Sequence, residues 1–119
     1  MTTYIIAGKN PKEDNSFFRY IFKNEKCEQS LIRNCNKFLE IITYYLVEKY
    51  RDGAKGKEEA ISIFDDLELA MENLRDALIR KHFTAIDNLI VPRLKQDLEN
   101  LLGGFGWTIE IKKEKNKRR

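Results

Sequence analysis

Cysteine, histidine, tryptophan and proline are scarce in this 119-residue chain, which holds two cysteines, one histidine, one tryptophan and two prolines. Two cysteines make no disulfide framework, and with a single histidine they do not supply the roughly four closely spaced N, S or O ligands that a zinc site needs. No metal and no cofactor is expected. Cys27 and Cys35 are eight positions apart on one predicted helix, about 12 Å along its axis, too far for a disulfide. Both are expected to be reduced and in the core. Long apolar runs are also missing, so no bilayer-spanning segment and no membrane partner is expected. The opening "MTTYIIAGKNPKED" has neither a basic leading region nor a cleavable apolar stretch, which points to the cytoplasm. "IIAGKNPK" places a glycine and a lysine after a strand but lacks the spacing and the Ser/Thr of a phosphate-binding loop. No glycine-rich dinucleotide fingerprint and no Ser/His/Asp arrangement is present.

Charge is abundant: 34 % of residues are charged, 42 % are hydrophobic and the mean hydropathy is -0.55. That balance fits a soluble globular chain rich in surface helix, and the length fits one domain. The net charge of +3 hides an asymmetry. The last eight residues, "KKEKNKRR", carry +5, which leaves -2 for residues 1–111. The expected organisation is a helical domain over 1–111 followed by a basic tail over 112–119.

"TTYIIAG" reads as a short strand, and "GWTIEIKK" as another because Trp107, Ile109 and Ile111 alternate with Thr108, Glu110 and Lys112. Between them the apolar spacing is helical. A first helix is predicted over 16–23 on the cluster Phe17, Phe18, Tyr20, Ile21 and Phe22, capped from Asp14, Asn15 or Ser16. A second over 25–51 aligns Cys27, Leu31, Cys35, Phe38, Ile42 and Tyr45. "GAKGK" breaks the chain at 53–57, and a third helix over 58–83 aligns Phe64, Leu67, Met71, Leu74 and Leu78. Thr84 and Asp87 resemble a capping box for a fourth helix, which Pro92 kinks or splits before Leu102. The expected fold class is therefore mainly α: a small bundle of about four helices with short terminal strands, an α+β arrangement being the alternative. The strands are expected to pair with each other on the helices or to complete a sheet across a dimer. "FLEIITYYLVEKY", 38–50, is apolar or aromatic on nearly every side, which points to a homodimer as well as to a central position in a bundle.

Two groups of residues carry chemistry. On a continuous helix Arg75 and His82 share a face about 10 Å apart along the axis, a general base and a cation that together suit metal-independent RNA cleavage through the 2′-hydroxyl. Arg75, Asp76 and His82 resemble the motif of the HEPN superfamily of small helical ribonucleases and toxin components, an arginine, a polar residue and then a histidine. The resemblance implies a helical bundle that dimerises so that two motifs face one cleft, with His82 as base and Arg75 stabilising the phosphoryl group. The second group is Lys112, Lys113, Lys115, Lys117, Arg118 and Arg119, which suit the phosphate backbone of RNA or DNA through counterion release. Tyr4, Phe105 and Trp107 are candidate stacking surfaces for bases. Asp65, Asp66 and Glu68 read as an exposed acidic patch.

Three functional readings follow. The first is a non-enzymatic, self-associating binding or accessory protein that contacts nucleic acid through its basic C-terminal segment. The second is the HEPN-like ribonuclease, and the third an inhibitor or subunit that docks on a protein partner through the acidic helix face.

Overall fold

The computed structural model describes residues 2–24 and 27–115. Its elements run β1 (Thr2–Asn10), β2 (Ser16–Lys23), α1 (Glu28–Lys49), α2 (Lys57–Ile79), a short α3 (Phe83–Ala85), a π-helical turn (Ile86–Ile90), α4 (Val91–Leu102), a 3-10 turn (Gly103–Phe105) and β3 (Thr108–Lys115). The three strands form one antiparallel sheet in the order β2-β1-β3. This is an α+β fold and not a four-helix bundle, which corrects the mainly α expectation.

The error lies in residues 16–23. "FFRYIF" is so densely apolar that it fits a helical cluster, but in the structure Phe18, Tyr20 and Phe22 face the helices while Phe17, Arg19, Ile21 and Lys23 face away. That is period two, and phenylalanine, tyrosine and isoleucine favour the pleated surface. A tight turn makes the pairing with β1 local. Asp14 and Asn15 adopt left-handed backbone (φ 59° and 56°), which short polar side chains tolerate, and the Asn10 side chain accepts from Lys12 N–H at 3.0 Å. The terminal strands pair with each other, Ile6 opposite Ile111 and Gly8 opposite Ile109.

All the helices cover one face of the sheet. The core joins Tyr4, Ile6, Phe22 and Ile109 to Leu31, Cys35, Phe38, Ile42 and Leu46 of α1, to Leu67, Met71, Leu74 and Leu78 of α2, and to Leu94, Leu98, Leu101 and Leu102 of α4. Phe38 is the joint between α1 and β2, its ring 5.5–6.1 Å from those of Phe18, Tyr20 and Phe22. Along α1 the stripe shifts from Tyr45 to Leu46 in the last turns, because Tyr45 swings toward Glu13 of the hairpin turn and its hydroxyl donates to that carboxylate at 2.7 Å. Lys49 pairs with the same carboxylate at 2.9 Å. Cys27 precedes α1 and is exposed, whereas Cys35 is buried, so the two do not share one buried stripe; neither is in a disulfide. Burial pushes the Cys35 thiol up to about 11, against a smaller opposing effect of Arg75.

The helix predicted to start at Thr84 instead follows His82, and Thr84 lies inside it without a capping role. Pro92 sits in the first turn of α4, directly after the π-helical turn. Proline has no N–H to donate to residue 88 and its ring crowds that carbonyl, and one wide turn relieves both conflicts while the helix continues. No helix among the described residues is long and apolar enough to cross a membrane.

Gly8 is required by the sheet. A Cβ there would lie 2.5 Å from the Phe18 ring, which is itself held by Trp107 at 5.3 Å and Phe38 at 6.1 Å between centroids. Gly8→Ala is expected to destabilise the fold by about 1–3 kcal/mol, the usual cost of overpacking, read as a lower urea midpoint with unchanged slope.

Candidate nucleic-acid interface

The other sheet face carries no helix. Its rows are Lys23–Thr3–Glu114, Ile21–Ile5–Lys112, Arg19–Ala7–Glu110 and Phe17–Lys9–Thr108, each read across β2, β1 and β3. None of these side chains belongs to the core cluster or packs against it. The central column is nonetheless covered, Thr3 and Ile5 being buried between their longer neighbours on both flanking strands. What the face presents to solvent is Lys9, Arg19, Lys23 and Lys112, against Glu110 and Glu114. Lys112 and Glu110 approach only to 3.9 Å, and Lys9, Arg19 and Lys23 form no ion pair among the described residues. Phe17 is 75 % exposed at one corner. Cations that share a face with an exposed aromatic ring are the components that track a phosphate backbone and stack a base.

The predicted basic residues divide. Lys112, Lys113 and Lys115 are not tail: they extend β3, paired opposite Ile5, Tyr4 and Thr2. Lys112 lies on the open face. Lys113 lies on the helix side, where its ammonium pairs with Asp87 of the π-helical turn and sits 5.9 Å and 6.0 Å from the ring centroids of Tyr4 and Phe83. Lys117, Arg118 and Arg119 fall outside the described residues.

Asp87 also accepts from the Tyr4 hydroxyl at 2.7 Å. Burial alone would raise its pKa, but hydrogen bonds from Lys113 and Tyr4, with the charges of Lys113 and Lys115, hold the carboxyl below its usual value. Tyr4 is pushed up by burial, then by its bond to that carboxylate and by the carboxylate's charge. The cluster ties the π-helical turn to the sheet. Tyr4 is buried to 1 % exposure, and Phe105 and Trp107 pack edge-on against Tyr45, so none of the three is the open stacking surface expected from the sequence. The exposed ring is Phe17, with Arg19 and Lys23 beyond it on the same strand. The alternation in "SFFRYIFK" would have revealed all three had it been read at period two.

Arg75 and His82 do not share a helix. α2 ends at Ile79, and Lys81 takes left-handed backbone (φ 60°). Lys81 N–H donates to Leu78 C=O at 3.2 Å and His82 N–H to Ala77 C=O at 2.8 Å, the paired bonds of a Schellman stop. The face-sharing geometry assumed for a continuous helix is thereby lost. Arg75 lies on α2 with its Nε 3.2 Å from Asp76, and His82 is an exposed residue opening the next helical segment. The helical bundle implied by the HEPN resemblance is likewise replaced by sheet and helices.

No family model matches the chain, and comparison with curated proteins and with solved structures returns no match.

Two outcomes are expected. A carboxyl whose folded pKa lies below its unfolded value of about 3.9 contributes stability above that value and loses it as pH falls through the folded one. Asp87→Asn should therefore be less stable than the parent at pH 7, with the gap closing as pH drops below about 4, as followed by urea unfolding at each pH. Separately, Lys81→Gly removes the steric cost of a left-handed Cβ and should stabilise the fold by about 1 kcal/mol, read as a raised Tm.

Proposed function

We propose that the protein is a non-enzymatic binding protein that holds the backbone of nucleic acid across its open sheet face. The observation that carries this reading is the set Lys9, Arg19, Lys23 and Lys112 on a sheet face that no helix covers, with the exposed Phe17 at its corner beside Lys9. Three of these cations have no carboxylate partner among the described residues, so phosphate is their natural counter-charge. Their arrangement on an open sheet face, without a cleft among the described residues that could read base edges, favours backbone contact over sequence recognition. Single-stranded substrate suits it best, because only unpaired bases can stack on Phe17. A cytoplasmic location is part of this proposal, and Cys35 held as a buried thiol suits a reducing compartment.

The ribonuclease alternative receives no such support. Arg75 already neutralises Asp76, and a helix stop separates it from His82.

Binding of labelled single-stranded RNA, followed by fluorescence anisotropy over a salt series, tests the proposal. Affinity is expected to fall steeply with salt, with a logarithmic slope of about -0.7 for each phosphate neutralised. Arg19→Ala and Lys23→Ala should each lower the slope by about that amount. Phe17→Ala should weaken binding about 5- to 150-fold, the range for losing one stacked base. His82→Ala should leave binding unchanged and the RNA intact. Salt-independent binding, or binding indifferent to all three sheet substitutions, would defeat the assignment.

A further inference from the structure

A second surface lies at the far end of the α1–α2 hairpin. Seven large apolar side chains are exposed among the described residues, and five of them are on these two helices, Ile41, Tyr44, Val47 and Ile61 together with Leu69 further along α2. Ile41, Tyr44 and Val47 follow one another at steps of three along α1, spreading over about 120° of its circumference with Tyr44 in the middle. Val47 and Ile61, with Leu46, Ala60 and Phe64, line an apolar groove of about 630 Å³. Scattered apolar residues need no explanation, but a continuous strip running from a groove around a helix marks a contact surface.

Charge selects the occupant. At the mouth of the groove Glu48 pairs with Arg51 at 2.9 Å and Asp52 with Lys57 at 3.4 Å, so the rim holds two cations and two anions that cancel. Beyond this rim the charge is one-sided. The strands carry Lys9, Arg19, Lys23, Lys112, Lys113 and Lys115 against two glutamates, while α2 carries seven carboxylates against Lys57 and Arg75. A strongly charged partner would find its complement on one of those faces. A patch that meets its own copy about a two-fold axis faces its own net charge, so only a patch near neutrality can do so without repulsion.

We propose that this apolar, charge-balanced face of α1 and α2 is the contact between two copies of the chain, packed about a two-fold axis near Tyr44. The proposal is independent of the nucleic-acid reading, since the sheet face contributes nothing to it. Tyr44 supplies a large rigid ring at the centre of the patch, the residue type and position that dominate such contacts.

Analytical ultracentrifugation of the full chain over a wide concentration range decides it. The expected species has twice the 14.1 kDa of one chain and dissociates on dilution. Tyr44 is 61 % and Val47 64 % exposed, so Tyr44→Glu and Val47→Glu touch no core and should keep the parent's circular dichroism. Each should weaken association about thirty-fold or more. Leu89→Glu, an equally exposed apolar position in the π-helical turn, should leave it unchanged. Tyr44→Glu and Tyr44→Lys, each monomeric alone, should pair when mixed, because the axis brings position 44 against itself. A parent monomeric at every concentration would overturn the proposal and leave the groove to a different protein. A dimer that survives Tyr44→Glu, or a mixture of the two charged variants that stays monomeric, would overturn it equally.

Discussion

The fold hangs on β1. Among the described residues it is the only strand paired on both edges, to β2 through a local hairpin and to β3 from far along the chain, with Thr2 beside Lys115. Closing so long a loop carries an entropic cost, but that cost grows only slowly with length, and a strand buried on both faces offsets it by removing nearly every side chain from water. Register is then fixed from within. Gly8 leaves room for the Phe18 ring, and Asn10, fully buried, donates from its side-chain amide to Phe105 C=O at 2.9 Å while its oxygen takes the Lys12 N–H. A slip of one residue would lose both fits and turn Tyr4 and Ile6 out of the core.

The sheet creates the division of labour between its faces. One side gathers the aromatic rings of β2 under α1, and the other, with nothing packed on it, keeps its apolar column covered by the stems of lysine and arginine. β3 is an edge strand whose exposed side chains alternate charge, Glu110, Lys112 and Glu114, which discourages pairing with another strand. Strand pairing is thus disfavoured at that edge. The exposed apolar strip lies on the helical hairpin and shares no residue with the cationic face.

The π-helical turn is a structural solution whose cause and effect are both visible. Pro92 forces a break in regular α-helical bonding, and the wide turn just before it carries Asp87, which engages Tyr4 and Lys113. One of the six basic residues expected to contact nucleic acid is thereby committed to internal structure. The electrostatics of a basic C-terminal sequence cannot be read by counting, because a lysine facing a carboxylate inside the fold contributes little to the outer field.

Sequence alone determined α1 and α2 closely. Their apolar stripes have helical spacing and the glycine-containing segment between them has no such spacing, so the predicted and observed bounds agree within a few residues, apart from the C-terminal end of α2. The terminal strands were equally legible, since alternation survives in a short segment. Residues 16–23 were not, because a run of aromatics satisfies both periods and only its hydrogen bonds to β1 choose between them. With that strand went Phe17, Arg19 and Lys23, leaving Lys112 as the one residue of the open face visible in advance. The stop after Ile79 was hidden for a different reason: Lys81 occupies a left-handed position that normally signals itself with glycine, so Arg75 and His82 seemed to share a helix. Local pattern fixes which segments are regular. Which side chains meet is decided by pairing between distant segments, and that pairing turned a supposed helix into the strand that carries the candidate interface.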